Sequence, residues 1–580
     1  MTEVSETFRL ETIPLSGRRA ATLPPMNILQ RWRAVAASVV LAAPLMTSAQ
    51  AQTVDSSTLV GKVLVGYQAW FRCPGDGSPG NGWSHWSNGA PSAGTLAIDA
   101  YPDLGGLPQA SLCAVPGMTV QGQPARLFSS YPKETADTHF QWMRSYGIDG
   151  ALLQRFVSDI PWVRSEKDVV LQNLRNAAER YGRTFAIEYD LSMDYTSVSD
   201  DTLMAKLQED WQHLANELKL TASPAYLKQG GKPIVSLWGL GFGDANHVNR
   251  PALGQRIVDW FKTQAQVTVM GGVPGGWKVG GRSSSADPGW AAVYASLDVV
   301  QPWAVGSFGD AAGADNWKAL VLQPDLAQTR ANKQLYLPVI FPGFSWHNLM
   351  KTAPQNQIPR DGGRFLWRQA FNARDAGAVA VKIAMFDEVN ESTAIFKVAS
   401  KRAAAPDQGY WLTLDADGRD LPSDWYLRLA YEVARVYSGQ VANTATMPAK
   451  PGPGSATEPP APPPPPVSGC GVLPANTLLP VNRPLNSCDG RFQLWMQSDG
   501  NLVLYQGNQP LWSSSTAGKV VGKIAMQGDG NLVIYDPANR PFWASNTSGH
   551  PGAHLTLQND GNLVVYLGSQ ALWASGSCCR

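Results

Sequence analysis

The sequence predicts an α/β protein in two parts, a (β/α)8 barrel followed by a small all-β domain. Three observations carry that prediction. Short apolar runs alternate with amphipathic stretches over most of the chain, a proline-rich tract then interrupts it, and beyond the tract one nine-residue pattern recurs three times.

The alternation opens with KVLVGYQAW, a strand pattern, and THFQWMRSYG, a helical one. It continues through IDGALLQRF, VVLQNLRNAAERYG, TFAIEYDL, DTLMAKLQEDWQHLANEL, KPIVSLWGL, ALGQRIVDWFKTQ, QVTVMGG, LDVVQPWAV, QLYLPVIFPGF, GRFLWRQAFNARDAG and AVAVKIAMF. Strands that alternate with helices pair in parallel through crossovers. Over residues 55–446 the rhythm favours a barrel over a doubly wound sheet, and no G-x-G-x-x-G follows the first strand pattern, so no cofactor is expected.

From Met447 to Val467 the chain reads MPAKPGPGSATEPPAPPPPPV. Such a tract cannot bury a core and prefers an extended polyproline conformation. Residues 447–468 are therefore a spacer, and 469–580 a separate domain. At the other end, MNILQRWRAVAASVVLAAPLMTSAQAQ has basic residues, an apolar run from Ala34 to Met46 and small residues before Ala51. The run is shorter than the roughly 20 residues that span a bilayer. Residues 1–51 read as a leader whose 26–51 part is a secretory signal, with Met1 and Met26 both open as the start and a secreted mature chain without a membrane span expected.

Lysines and arginines (47) nearly balance aspartates and glutamates (46), so no global field draws nucleic acid or an anionic membrane. The partner is expected to be neutral, and 21 tryptophans offer flat faces that suit sugars as well as cores. Six cysteines in an exported chain favour disulfides: Cys73 with Cys113 and Cys470 with Cys488, leaving Cys578 and Cys579 open. Neither the cysteines nor the seven histidines have metal-site spacing, so no metal is expected.

The repeat consists of QSDGNLVLY, QGDGNLVIY and QNDGNLVVY, starting at 497, 527 and 558. On an extended strand the alternate Gln, Asp, Asn, Val and Tyr share one face, which sets amides and a carboxylate beside a ring. Asp-Gly-Asn is also a common turn, and a repeat can serve packing alone. The three copies resemble the Q-x-D-x-N-x-V-x-Y signature of the bulb-type mannose-binding lectins, over about residues 470–577. The resemblance implies a β-prism with three mannose pockets: Gln497, Asp499, Asn501 and Tyr505; Gln527, Asp529, Asn531 and Tyr535; and Gln558, Asp560, Asn562 and Tyr566.

In the larger part, FDEVNESTAIF places Glu388 and Glu391 just past the last strand pattern, before a helix-like stretch. In a barrel that is the C-terminal rim, where catalytic groups sit. A bland reading makes Asp387, Glu388 and Glu391 the negative charges of a helix start. The stretch resembles the FNEWHEGTQIE-type motif of glycoside hydrolase family 99, the endo-α-mannosidases and endo-α-mannanases, with GRFLWRQAF upstream. SPAYLKQGGKPIVSLW is similar to that family's HPAYYRYKGKPLFYIY-type stretch, and VGYQAWF, SHWSN, YPDLG and TFAIEY are similar to its early motifs.

This likeness spans most of residues 61–397 and is shared with the family 71 α-1,3-glucanases. It implies a retaining hydrolase of an α-linked polysaccharide, α-mannan first, in which Glu388 as base takes a proton from the sugar 2-hydroxyl to give a 1,2-anhydro intermediate. Glu391 is then the acid. Val389, Asn390 and Asp387 depart from the family's Trp, His and Asn. Glu188 matches the glutamate of a family HIEPY-type motif and is either a hydrogen-bond partner of the substrate or a structural strand-end carboxylate, and Tyr67, Trp70, His85 and Trp346, near strand ends, either line the cleft or pack in the core or wall. Two other readings stand beside this one: a non-catalytic carbohydrate-binding adhesin or lectin-like toxin, and an α-1,3-glucan hydrolase.

Overall fold

The computed structural model describes residues 53–193, 198–453, 471–479, 481, 484–567 and 570–578. The expected leader, the spacer from 454 onward, Cys470 and Cys579 lie outside the described residues.

A parallel sheet organises the larger part. Its strands are β1 (Val63–Tyr67), β2 (Gly150–Phe156), β3 (Thr184–Asp190), β4 (Lys232–Trp238), β5 (Thr268–Val273), β6 (Val299–Pro302), β7 in two pieces (Leu335–Tyr336 and Val339–Ile340) and β8 (Val381–Ile383). Neighbours in this order are hydrogen-bonded, β8 returns to β1, and the two pieces of β7 pair with β6 on one side and β8 on the other. One short segment therefore closes the sheet into a β/α barrel. Pro338 divides that segment because it has no N–H to give, yet its carbonyl accepts from Lys382 N at 3.0 Å.

The strands are apolar on both faces, as a parallel sheet covered by helices requires, and β1, β3 and β5 are buried throughout. Helices Lys133–Ser145, Ile160–Tyr181, Asp200–Gln212, Pro251–Thr263, Trp290–Ser296, Arg364–Asp375 and Trp425–Tyr437 surround them. Ser199 caps the third, accepting from Thr202 N at 3.2 Å. A separate hairpin, Leu112–Val120 with Gln123–Phe128, falls between β1 and the first helix in sequence, and Cys113 on it is bonded to Cys73. Pro451 and Gly452 are buried, and Gly452 N donates to Glu432 Oε1 at 3.1 Å, so the spacer's first residues belong to this part.

The small part holds three four-stranded antiparallel sheets. Leu494, Met496, Leu502, Leu504, Ile524, Met526, Leu532, Ile534, Leu555, Leu557, Leu563 and Val565 come from all three and form one core. Trp512, Trp543 and Trp573 meet edge to face, with centroids 5.6 to 5.9 Å apart. Cys488 is disulfide-bonded, whereas Cys578 is free. Among the described residues no helix is long and apolar enough to cross a membrane.

Candidate active site and sugar faces

The stretch after β8 is not a helix. Residues 384–399 run as turns and irregular backbone, so the charges there are not a helix start. Their polar backbone groups are satisfied by side chains far away in sequence. Arg360 Nη2 donates to Ser392 O at 2.7 Å and Ala394 O at 2.9 Å. Asn390 Nδ2 donates to His85 O at 2.7 Å and Ala97 O at 2.8 Å, which fixes the 85–97 loop against this one. Asp387, fully buried, accepts from Gln68 N at 2.8 Å and Ala69 N at 2.9 Å and so ties the loop to the end of β1. Ala69, His85 and Ser392 all have positive φ, 54°, 63° and 52°, an uncommon backbone state for residues other than glycine.

A second anchor holds the neighbouring loop. Asp99, fully buried, accepts from Ser345 Oγ, from His347 N at 2.8 Å and from Asn348 N at 2.7 Å. Ser345 N in turn donates to Glu391 O at 2.9 Å. Asp99 thus positions the backbone that carries Glu391.

These anchors set the electrostatics of the pair. Glu388 is 3% exposed, and its Oε1 accepts from Asn390 N at 2.8 Å and Glu391 N at 3.4 Å. Burial, then the nearby Glu391 and Asp387 charges, push its carboxyl well above the usual range, and the two backbone donors only partly offset this. Glu391 is half-buried, and burial pushes its carboxyl up to about 7. Burial likewise takes Asp387 to about 6. Each of the three carboxyls therefore keeps its proton to a higher pH than a free one does.

The other predicted residues divide. Tyr67, Trp70 and His85 come together around one cavity of ≈ 50 Å³ with Gln68 and Gln154. Trp70 and His85 stack at 3.9 Å and 6°. Gln68 Oε1, Trp70 Nε1 and Gln154 Oε1 are buried there without a hydrogen-bond partner among the described residues, so a wall that also holds Leu153, Val170 and Leu171 carries unsatisfied polar atoms. Tyr67, however, is 1% exposed, and its hydroxyl is taken by His139 Nδ1 at 2.7 Å; it is a wall with no free polar edge. Trp346 stands beside the Asp99 anchor and packs on Phe344 at 5.0 Å.

Glu188 has structural partners, in keeping with the second of its two readings. It is fully buried: Oε1 takes Lys382 Nζ at 2.6 Å, and Oε2 takes Ser236 Oγ at 2.8 Å and Gln301 Nε2 at 3.1 Å. Burial alone raises its carboxyl, but Lys382 and these donors bring it below the ordinary value. Sequence reading missed Lys382, although a lysine between Val381 and Ile383 in an apolar run is itself a signal of a buried pair. Asp99 and Arg360 had no comparable signal.

In the small part the repeat is a turn followed by a strand. Gln497 to Asn501 turn between Phe492–Met496 and Leu502–Gln506, so the five alternate residues do not share one continuous strand as expected. Gly500 has φ 87°, and a Cβ there would meet Lys519 O at 1.9 Å, so glycine is required. The turn still gathers the motif. Gln497 Nε2 donates to Tyr505 Oη at 3.0 Å, Asp499 Oδ1 accepts from Asn501 N at 3.0 Å, and Asn501 Oδ1 accepts from Ser514 Oγ at 3.2 Å and Thr516 N at 3.0 Å.

The second copy repeats this with Gln527, Tyr535, Asp529, Asn531, Ser545 and Thr547. The third does so with Gln558, Tyr566, Asp560, Asn562 and Ser575. Each copy leaves a carboxylate oxygen, an amide NH2 and a phenol O–H for a ligand, the donor and acceptor set that vicinal hydroxyls require.

Fold and site together define a barrel with a carboxylate pair on the loop after its last strand, followed by a β domain of three sheets. No family model matches the chain. It is 46% identical over 52 residues to a mannose-specific lectin of Narcissus pseudonarcissus, covering 9% of this chain and 48% of that one. A mannose-specific lectin of Galanthus nivalis is 47% identical over 51 residues, 32% of its length. The chain thus spans about half or less of these curated relatives. Among solved structures, it is similar to the GH99 endo-alpha-mannosidase from Bacteroides thetaiotaomicron, with a TM-score of 0.48 and 16% identity over 66% of this chain and 99% of that one. It is also similar to the mannose-specific agglutinin of snowdrop (Galanthus nivalis) bulbs, complexed with methyl-alpha-D-mannoside, with a TM-score of 0.16 and 40% identity over 19% of this chain and 99% of that one.

Proposed function

We propose that the chain is a secreted, retaining glycoside hydrolase of an α-linked polysaccharide, α-mannan first, tethered to its substrate by a mannose-binding domain. The observation that carries the proposal is the pair Glu388 and Glu391 on one anchored loop, both with carboxyls raised by burial. Glu388 is the base. Burial and the neighbouring carboxylates raise its carboxyl, two backbone N–H groups oppose that rise, and in its ionised form it takes the proton of the sugar 2-hydroxyl as that oxygen closes on the anomeric carbon. Glu391 is the acid: its carboxylate accepts no hydrogen bond among the described residues, and near pH 7 it holds a proton to give to the leaving oxygen. Water then opens the 1,2-anhydro ring with the proton movements reversed. Because the 2-hydroxyl is the nucleophile, the carboxylate spacing of retainers that form a glycosyl-enzyme does not apply.

The test begins with purified protein on α-mannans and α-1,3-glucans, which also separates the two enzymatic readings from a non-catalytic one. On a natural glycoside, Glu391→Gln is expected to lose about 10²–10⁴-fold in rate. On a substrate with a strongly acidic leaving group it should lose far less, with no alkaline limb and with the acid limb moved to lower pH, since a like charge beside Glu388 is gone. Glu388→Gln should be slow on both. Equal responses of the two variants to leaving-group acidity would refute the roles.

A further inference from the structure

We infer that the three sugar faces are chemically distinct, and that the second selects a mannoside carrying a negative charge. The inference rests on the reading of these faces as mannose pockets. In each sheet the motif tyrosine lies directly across from one residue of the preceding strand: Gln493 faces Tyr505, Lys523 faces Tyr535 and His554 faces Tyr566. Directly opposed residues share a face, so these three differ where the tyrosine hydroxyl meets a ligand.

Two places nearer the turn, the residues are Trp495, Ala525 and Thr556, set against Val503, Val533 and Val564. On the first face Trp495 fills the space and its indole N–H donates to Gln493 Oε1 at 3.2 Å. On the second face Ala525 leaves that space open, and Lys523 Nζ stands 5.0 Å from the Tyr535 ring centroid. No carboxylate pairs with Lys523 among the described residues. Asp529 sits at the turn end with Oδ1 on Asn531 N, and Asp536, next to Tyr535, is held by Arg540 at 2.7 Å. The second face therefore has a carboxylate for hydroxyls at one end and an uncommitted ammonium at the other. A mannoside bearing a phosphate monoester or a carboxylate beyond the hydroxyl that meets Tyr535 completes that arrangement.

The test uses the full chain with Asp499→Asn and Asp560→Asn, which leaves only the second face competent. Titration calorimetry at low salt compares methyl α-mannoside, its 6-phosphate and methyl α-mannuronoside. The charged sugars are expected to bind about two- to fivefold more tightly than the neutral one, the range of an exposed ion pair. Preference for one anion alone identifies the phosphate or the uronate as its source. The preference should vanish in Lys523→Gln, which installs the first face's residue, and at about 1 M salt, where the screening length is about 3 Å. A ratio near one in the parent, or one that survives Lys523→Gln, overturns the inference. Failure to bind even methyl α-mannoside refutes the reading of this face as a sugar site, and the inference with it.

Discussion

At the scale of single residues, the carboxylate pair costs stability as pH rises. Both Glu388 and Glu391 have folded-state values above the ordinary 4.5, so the fold binds their protons more tightly than the unfolded chain does. Stability is then full below about pH 4.5 and falls as pH rises toward about 7. Glu391→Gln should therefore stabilise the barrel at pH 8 by roughly 1–3 kcal/mol, a few degrees in Tm, and do nothing at pH 4. Thermal melts at the two pH values check this, and an equal effect at both would contradict it. The Lys382–Glu188 pair behaves oppositely, because removing one partner strands a buried charge. Lys382→Met is expected to cost about 3–5 kcal/mol in denaturant unfolding, with much of that recovered by adding Glu188→Leu. The glutamate pair was legible in the sequence as a spacing. Glu188 was visible too, but its role was not, since its partner Lys382 lies 194 positions away.

At the scale of elements, the barrel strands were readable because each is a continuous apolar run, and the repeats because they recur. The loop after β8 was not. Its helix-like pattern is overruled by Asp99, Arg360, Asp387 and Asn390, whose hydrogen bonds cross from 32 to 319 positions, and no local periodicity encodes such contacts. The same fact makes the loop vulnerable at a distance. Asp99→Ala leaves Ser345 Oγ and the His347 and Asn348 amides without their acceptor, so the backbone that bonds Glu391 O loses its rest. The expected result is a fall of about 10²-fold in kcat/KM, borne mostly by kcat, with partial recovery in Asp99→Asn. A purely structural role would instead lower Tm and leave kcat per folded molecule unchanged.

At the scale of the whole molecule, the two parts have separate cores, and the expected division of labour follows. Replacing Asp499, Asp529 and Asp560 together by Ala should abolish retention on immobilised mannose while hydrolysis of a small soluble substrate stays within about twofold, because no residue of the barrel is touched. Hydrolysis of an insoluble mannan should drop more, since tethering works through local concentration. Retention that persisted would reduce the repeats to scaffold. The three sheets also share one core, so their outer faces look away from a common axis. Three faces turned outward in this way cannot all lie against one plane. On a flat cell wall the domain would hold with one face, or two at an edge, and release readily, whereas inside a hydrated polysaccharide gel, with chains on every side, all three would engage and the enzyme would be retained in depth.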